Sequence, residues 1–212
     1  MSYESDHDLK GSEVRLWQLI EERCAVDADV KRLDQRIWDL FGEDWAIMFT
    51  DLSGFSRQVA AFGIIHFLQI IFEQKRLLLP IVARHDGILI KVEADSFMII
   101  FKRAASAMRC AIEMQHACQQ HNTRRLPEEQ VLLCVGLGFG RILKIGDVDV
   151  YGQEVNAASK LGEDTAKSNE ILCTAAVRAA CGEVTEVGYR ELEVAVPGSE
   201  NNFRVDYPHF VK

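Results

Sequence analysis

Apolar residues recur at three- and four-residue intervals from Ser12 to about Phe41. Val14, Trp17 and Leu19-Ile20 share one stripe, and Val30, Leu33, Ile37 and Leu40-Phe41 continue it. The spacing predicts an amphipathic helical segment ended by Gly42, whose stripe must be buried against its own domain, a second copy or a regulatory partner. The pattern then changes. Ala46-Ile-Met-Phe49 is an unbroken apolar run that fits a strand buried on both faces, with Asp51 expected where that strand emerges into a loop. Leu52-Ser-Gly-Phe-Ser56 predicts a tight turn into a helix whose first amides are free to hold phosphate oxygens, although Asp51 or Ser53 at such a junction also serves as an ordinary helix cap.

Gly63 to Arg84 carries a broad helical apolar face, which Pro80 is expected to bend or restart. Gly87–Val92 and Phe97–Phe101 are apolar runs split by Glu93-Ala-Asp-Ser96, the spacing of a hairpin. Ala104 to about His121 is helical again, and Val131–Phe139 reads as the next strand. The order β-α-β-β-α-β predicts an α+β fold with a ferredoxin-like, antiparallel split sheet. In that sheet the first strand lies beside the third, so Asp51 and Asp95 arrive at one edge, as a two-metal site requires. Helix Gly152–Glu163, with Asn156 and Lys160 four apart on one face, then leads into C-terminal αβ additions. These are strand Glu170–Thr174, helix Ala175–Ala180, strand region Glu183–Val196, the turn Pro197–Asn202 and strand Phe203–Tyr207. The chain divides into an N-terminal helical segment, 1–43, for dimerisation or docking, and one α+β domain, 44–212.

Charge and composition narrow the function. A net charge of −8 and a pI near 5.3, with Lys102-Arg103 and Arg124-Arg125 as isolated pairs read as solvated surface, argue against a nucleic-acid partner. Six cysteines without a C-x-x-C pair favour a reducing, cytoplasmic setting. The acidic Met1–Asp8 stretch is not a secretory signal, and no run reaches the roughly 18 apolar residues of a membrane span. Gly136-Leu-Gly-Phe-Gly140 lacks the spacing and the following helix of a dinucleotide loop.

Three stretches in order, Phe49-Thr-Asp-Leu-Ser-Gly-Phe-Ser56, Ile90-Lys-Val-Glu-Ala-Asp-Ser-Phe97 and Asp149-Val-Tyr-Gly-Gln-Glu-Val-Asn-Ala-Ala-Ser-Lys160, resemble the class III nucleotidyl cyclase catalytic domain over about Asp44 to Tyr207. The resemblance implies an adenylate cyclase that converts ATP to 3′,5′-cyclic AMP and pyrophosphate. Asp51 and Asp95, with the Leu52 carbonyl, would hold two Mg²⁺ or Mn²⁺ ions, and the amides of Gly54 and Phe55 would cradle phosphates. Lys91 and Asp149 would read adenine, donating to N1 and accepting from the N6 amine. Asn156 would orient the ribose. Lys160 stands where the family has an arginine, which implies a slow enzyme because an ammonium lacks the planar two-point fork. The C-terminal stretch has no lysine placed like the family's triphosphate-binding one, and Arg204 is the candidate in its stead. The family builds its site from two subunits, so a homodimer is implied. The competing expectation is a catalytically weak or inactive cyclase-homology module that binds nucleotide or a regulatory partner, the latter through residues 1–43.

Overall fold

In the computed structural model the described residues are 11–182, 184 and 187–208, with backbone alone at 55–58. The Met1–Asp8 stretch, and Glu183, Thr185 and Glu186 of the expected strand region, lie outside them. An eight-stranded sheet is built from β1 (Gly42–Leu52), β2 (Ile88–Glu93), β3 (Ser96–Phe101), β4 (Leu133–Ile145), β5 (Asp149–Tyr151), β6 (Ile171–Thr174), β7 (Gly188–Leu192) and β8 (Asn202–Asp206). Its order is β2-β3-β1-β4-β6-β8-β7, with β5 paired to β4. The first four strands in that order are the expected split sheet. β1 runs antiparallel to β3, Thr50 opposite Phe97, and to β4, from Gly42 opposite Leu143 to Leu52 opposite Leu133.

Alternation along β1 and β3 divides the interior in two. Ala46, Met48, Phe97, Ile99 and Phe101 face helices α4 (Ile64–Arg84), α5 (Ala104–Asn122) and α7 (Ala175–Ala180). The buried face of α5 is largely small, with Ala104, Ala107, Cys110, Ala111 and Cys118. Pro80 does not restart the helix: α4 runs through it, with Pro80 at an exposed position where water can take up the carbonyl its missing N–H leaves free. Trp45, Ile47, Met98 and Ile100 face the other way, with Val155 and Ala158 of α6 (Gln153–Ser159). A π-helical turn, Lys160–Thr165, continues α6.

The glycines of β4 explain how α6 lies on the sheet. A Cβ at Gly136 would meet the Ala158 carbonyl at 2.2 Å, and one at Gly138 the Glu154 carbonyl at 2.3 Å. Helix backbone therefore rests on strand backbone, and the glycine run is a packing surface, not a ligand loop. The single helical segment expected over Ser12–Phe41 is instead a hairpin of α1 (Gly11–Arg23) and α2 (Val30–Phe41). Asp29 caps α2 by accepting from the Arg32 amide at 3.1 Å. Leu16, Leu19, Leu33, Ile37 and Phe41 bury themselves against Ile145 of β4, and Arg23–Asp34 at 2.5 Å and Arg36–Glu22 at 3.1 Å clasp the two helices. No helix among the described residues is long and apolar enough to cross a membrane.

Candidate active site

Asp51 lies within β1 rather than in the loop after it, because pairing with β4 continues one residue further, to Leu52. The β2–β3 hairpin turns on Ala94-Asp95, with Glu93 opposite Ser96. Ala94 is held at a φ of 52°, a left-handed conformation that costs a residue with a Cβ about 1 kcal/mol. Asp95 is buried, and the buried Gln74 of α4 donates its Nε2 to the Asp95 carbonyl at 2.8 Å. Ser96 Oγ donates to Asp51 Oδ1 at 3.3 Å. Burial first, and then the charge of Asp95, push the Asp51 carboxyl up to about 7.

One oxygen of this pair, Asp95 Oδ2, is buried with no hydrogen-bond partner among the described residues. Two carboxyls pressed together with an orphaned oxygen fit a divalent cation, whose charge removes both penalties. Among the described residues no group of three or more His, Cys, Asp or Glu gathers here. A hard divalent cation held by two carboxylates alone would take its remaining ligands from elsewhere. Neither Asp51 nor Ser53 caps the following helix. The Ser53 amide donates to the Leu132 carbonyl at 2.9 Å, and α3 (Phe55–Phe62) starts from Gly54, at a φ of 92°, with no side-chain cap. Among the described residues no side chain accepts from the amides at the start of α3, next to Asp51 in sequence.

The second group sits on the α6 face of the sheet. Lys91 of β2 and Asp149 of β5, 58 residues apart, meet at 2.5 Å between Nζ and Oδ2. This hydrogen bond raises the Lys91 pKa. Asp149 Oδ1 also accepts from the Val150 amide at 2.9 Å, which fixes the carboxylate plane. Phe49, Lys91, Met98, Asp149, Val155 and Glu163 line a cavity of about 260 Å³ beside the pair. Tyr151, next along β5, has its hydroxyl pKa raised by burial and then by Asp149.

Asn156 and Lys160 project from the exposed side of α6, and Lys160 Nζ is held by Asp164 Oδ2 at 2.5 Å, one turn on. Among the described residues no hydrogen bond or ion pair joins Asn156 or Lys160 to the acid pair or to Lys91–Asp149. Arg204 of β8 is engaged by Glu170 at 3.3 Å and Asp206 at 3.7 Å. Glu154 has a role that reading the sequence missed. Its Oε2 accepts from the Phe139 amide at 3.0 Å and Thr174 Oγ1 at 2.8 Å, pinning α6 to β4 and β6. The one clue in the sequence was an acid beside Val155, on the stripe of α6 that faces inward.

The model of the adenylate and guanylate cyclase catalytic domain matches residues 42–204. A serine/threonine-protein kinase, pkn2 of Myxococcus xanthus, is 26% identical over 160 residues, which cover 70% of this chain and 19% of that protein. A Rhizobium meliloti (strain 1021) protein provisionally named adenylate cyclase 3 is 32% identical over 117 residues, 55% of this chain and 20% of that protein. The chain thus spans about a fifth of the length of these curated relatives. Among solved structures, the adenylate/guanylate cyclase/hydrolase from Silicibacter pomeroyi superposes with a TM-score of 0.67 at 23% identity, covering 79% of this chain and 98% of that one. The adenylyl cyclase CyaB from P. aeruginosa gives 0.66 at 20% identity, covering 81% and 98%. With the sheet order and the family match over most of its length, the chain belongs to the adenylate and guanylate cyclase catalytic domain family.

Proposed function

We infer that this chain is an adenylate cyclase, converting ATP to 3′,5′-cyclic AMP and pyrophosphate as a homodimer. The observation that carries the choice of ATP is the Lys91–Asp149 pair beside the cavity. An ammonium offers a donor to adenine N1 and a carboxylate an acceptor to the N6 amine, whereas guanine presents the opposite polarity at both positions. Asp51 and Asp95, with the Leu52 carbonyl, would hold two Mg²⁺ or Mn²⁺ ions. Such cations, when bound, lower the pKa of the ribose 3′-hydroxyl and offset charge on the triphosphate and the leaving pyrophosphate. The 3′-oxygen attacks the α-phosphorus, the bond to the pyrophosphate oxygen breaks, and the ring closes. The Gly54 and Phe55 amides hold phosphate oxygens, Asn156 orients the ribose, and Lys160 faces the charge that develops on the α-phosphate.

The exposure of Asn156 and Lys160, unconnected to the chain's own acid pair, supports a site completed by a second copy. A row of exposed apolar side chains along α3 and α4, including Ile65 at 75% and Phe72 at 64%, supports association as well. The α1–α2 hairpin, including Trp17 at 51% exposure, is the surface we assign to further dimer contacts or a regulatory partner. The Lys160–Asp164 pair favours a second reading, a weak or inactive cyclase-homology module, because the only cation at that position is already engaged. The test is incubation of the purified protein with ATP, GTP, CTP or UTP and Mg²⁺ or Mn²⁺, with Asp51→Ala as control. Cyclic AMP is expected. Cyclic GMP alone overturns the base assignment, and no cyclic product from any nucleotide leaves the module reading in its place.

A further inference from the structure

A cleft of about 820 Å³ lies on the opposite side of the sheet from Lys91 and Asp149, between α4 and the end of α5. Leu77 and Ala117 form an apolar wall, and Gln120, His121, Arg124 and Arg125 supply the polar one; among the described residues no carboxylate lines it, although Glu73 and Glu129 stand behind Arg125. Two of these groups lack a partner among the described residues. His121 Nε2 is buried with no hydrogen bond, and no hydrogen bond or ion pair involves the Arg124 guanidinium. Arg125 is only loosely compensated, at 3.8 Å from Glu73 and 3.9 Å from Glu129, distances that leave its N–H donors free. Arg124 is exposed, as expected of a solvated surface arginine, and Arg125 is half-buried beside it.

A buried ring nitrogen and a planar guanidinium facing one concave space, with a second guanidinium beside them, match an anion with several oxygens. The cleft volume is that of a small-molecule site rather than of a single ion, and its apolar wall suits a ligand with a carbon body. Burial and the neighbouring Arg125 hold the His121 imidazole below its ordinary range, so the ring is neutral near pH 7 and adds a directed hydrogen bond rather than charge.

The cleft also has a physical link to the acid pair. Arg125 reaches Glu73, which Arg76 holds at 2.6 Å, and the next residue of α4 is Gln74, whose Nε2 holds the Asp95 carbonyl at 2.8 Å. Drawing Arg125 towards a ligand changes the load on this turn of α4, and the same turn secures the strained Ala94-Asp95 corner.

We propose that the α4–α5 cleft binds a small organic anion bearing phosphate or carboxylate groups, through Arg124, Arg125 and His121, and that its occupancy is felt at the Asp95 hairpin as an effector site. The test uses the full chain without added metal and titrates it with inorganic phosphate and with citrate by calorimetry; the preferred probe identifies phosphate or carboxylate as the recognised chemistry. Arg124→Ala, at an exposed position, should weaken binding about tenfold, as loss of one charge-assisted contact does, and His121→Phe should weaken it with the ring shape kept. Lys160→Ala should leave binding unchanged. Hydrogen exchange should slow at the amides of Ala94 to Phe97 when the probe saturates the wild type, and not in Arg124→Ala. No binding of either probe, or binding lost in Lys160→Ala but kept in Arg124→Ala, overturns the site; binding with no change at the hairpin overturns its effector role. Neither readout depends on turnover, so a failure here is separate from a failure of the cyclase reading.

Discussion

The two ends of the candidate site handle charge in opposite ways. At the β1 and β3 edge, Asp51 and Asp95 press like charges together, one buried oxygen has no partner, and a carboxyl is driven up to about 7. On the α6 face every cation of interest already has an anion: Lys91 has Asp149 and Lys160 has Asp164, each at 2.5 Å. The acid edge is poorly satisfied without a bound cation, so it supplies a driving force for binding one. The α6 face is satisfied, so a ligand there must do better than a contact that exists. On the proposed reading, selectivity would belong to the second arrangement, because only a ligand offering both an acceptor to Lys91 and a donor to Asp149 would replace what it displaces.

The largest effect should come from the end that has no substitute. Asp95→Ala removes the buried carboxylate and should lower cyclic nucleotide formation by roughly a thousandfold or more, since a bound metal contributes several kcal/mol to such a reaction. Product analysis at saturating Mn²⁺ checks it, and activity within tenfold of wild type would remove Asp95 from the site. At the other end, Lys91→Met should cost less and change a ratio instead. Discrimination of ATP over GTP, measured as relative kcat/KM, should fall roughly 10- to 100-fold, the scale of a lost hydrogen bond to a base. A fall in rate with the ratio unchanged would mean that Lys91 supports the cavity without reading the base.

Stability separates the two ends more directly. Asp51→Asn keeps the shape and removes the charge that burial and Asp95 disfavour. An acid whose folded-state value lies above its unfolded one loses stability as pH rises through that interval, here from about 4 to about 7. The asparagine variant should therefore match wild type near pH 4 and exceed it above pH 7. The gain, discounted for the partial exposure of Asp51, is about 1 kcal/mol, or roughly 2–4 °C in Tm for a chain of this size. Melting in a chelating buffer across that pH range measures it, and added Mg²⁺ or Mn²⁺ should stabilise only the wild type. Equal melting of both proteins at pH 8 would show that the acid pair carries no stored repulsion.

How much of this was legible in the sequence follows the same division. The meeting of Asp51 and Asp95 follows from topology: once the apolar runs Ala46–Phe49, Gly87–Val92 and Phe97–Phe101 are read as strands of a split sheet, strand order brings the acids together. The meeting of Lys91 and Asp149 was legible only through the family resemblance, not through the local pattern. β5 has only Asp149–Tyr151, too few residues to show a period, and its contact with Lys91 depends on a fold-back onto β4. The break between α1 and α2 was hidden because Ala25, Val26 and Ala28 carry apolar character through it, while the cap at Asp29 is one acid among several. The loop reading of Gly136 and Gly138 failed on spacing, but what the glycines are for was not legible, because their use lies in the backbone of another element. At Pro80 the helix runs on without a restart because it is exposed there and solvent satisfies what proline removes.

The smallest expected effect is the one that best resolves the α6 face. Lys160 and Asp164 are both about half exposed, so the pair is a weak one in solution, and its consequence lies in where the ammonium points rather than in stability. If Lys160 faces the α-phosphate, Asp164 competes with the substrate for it. Asp164→Asn should then raise turnover roughly two- to fivefold, the scale of a released surface pair, with little change in the melting temperature. The same substitution placed on Lys160→Ala should do nothing, because no ammonium is left to release. Lys160→Arg should also raise turnover, since a guanidinium can keep one edge on Asp164 and present another to phosphate. An equal gain from Asp164→Asn in both backgrounds would mean that the aspartate repels the substrate directly, and the α6 face would then differ from the acid edge in degree rather than in kind.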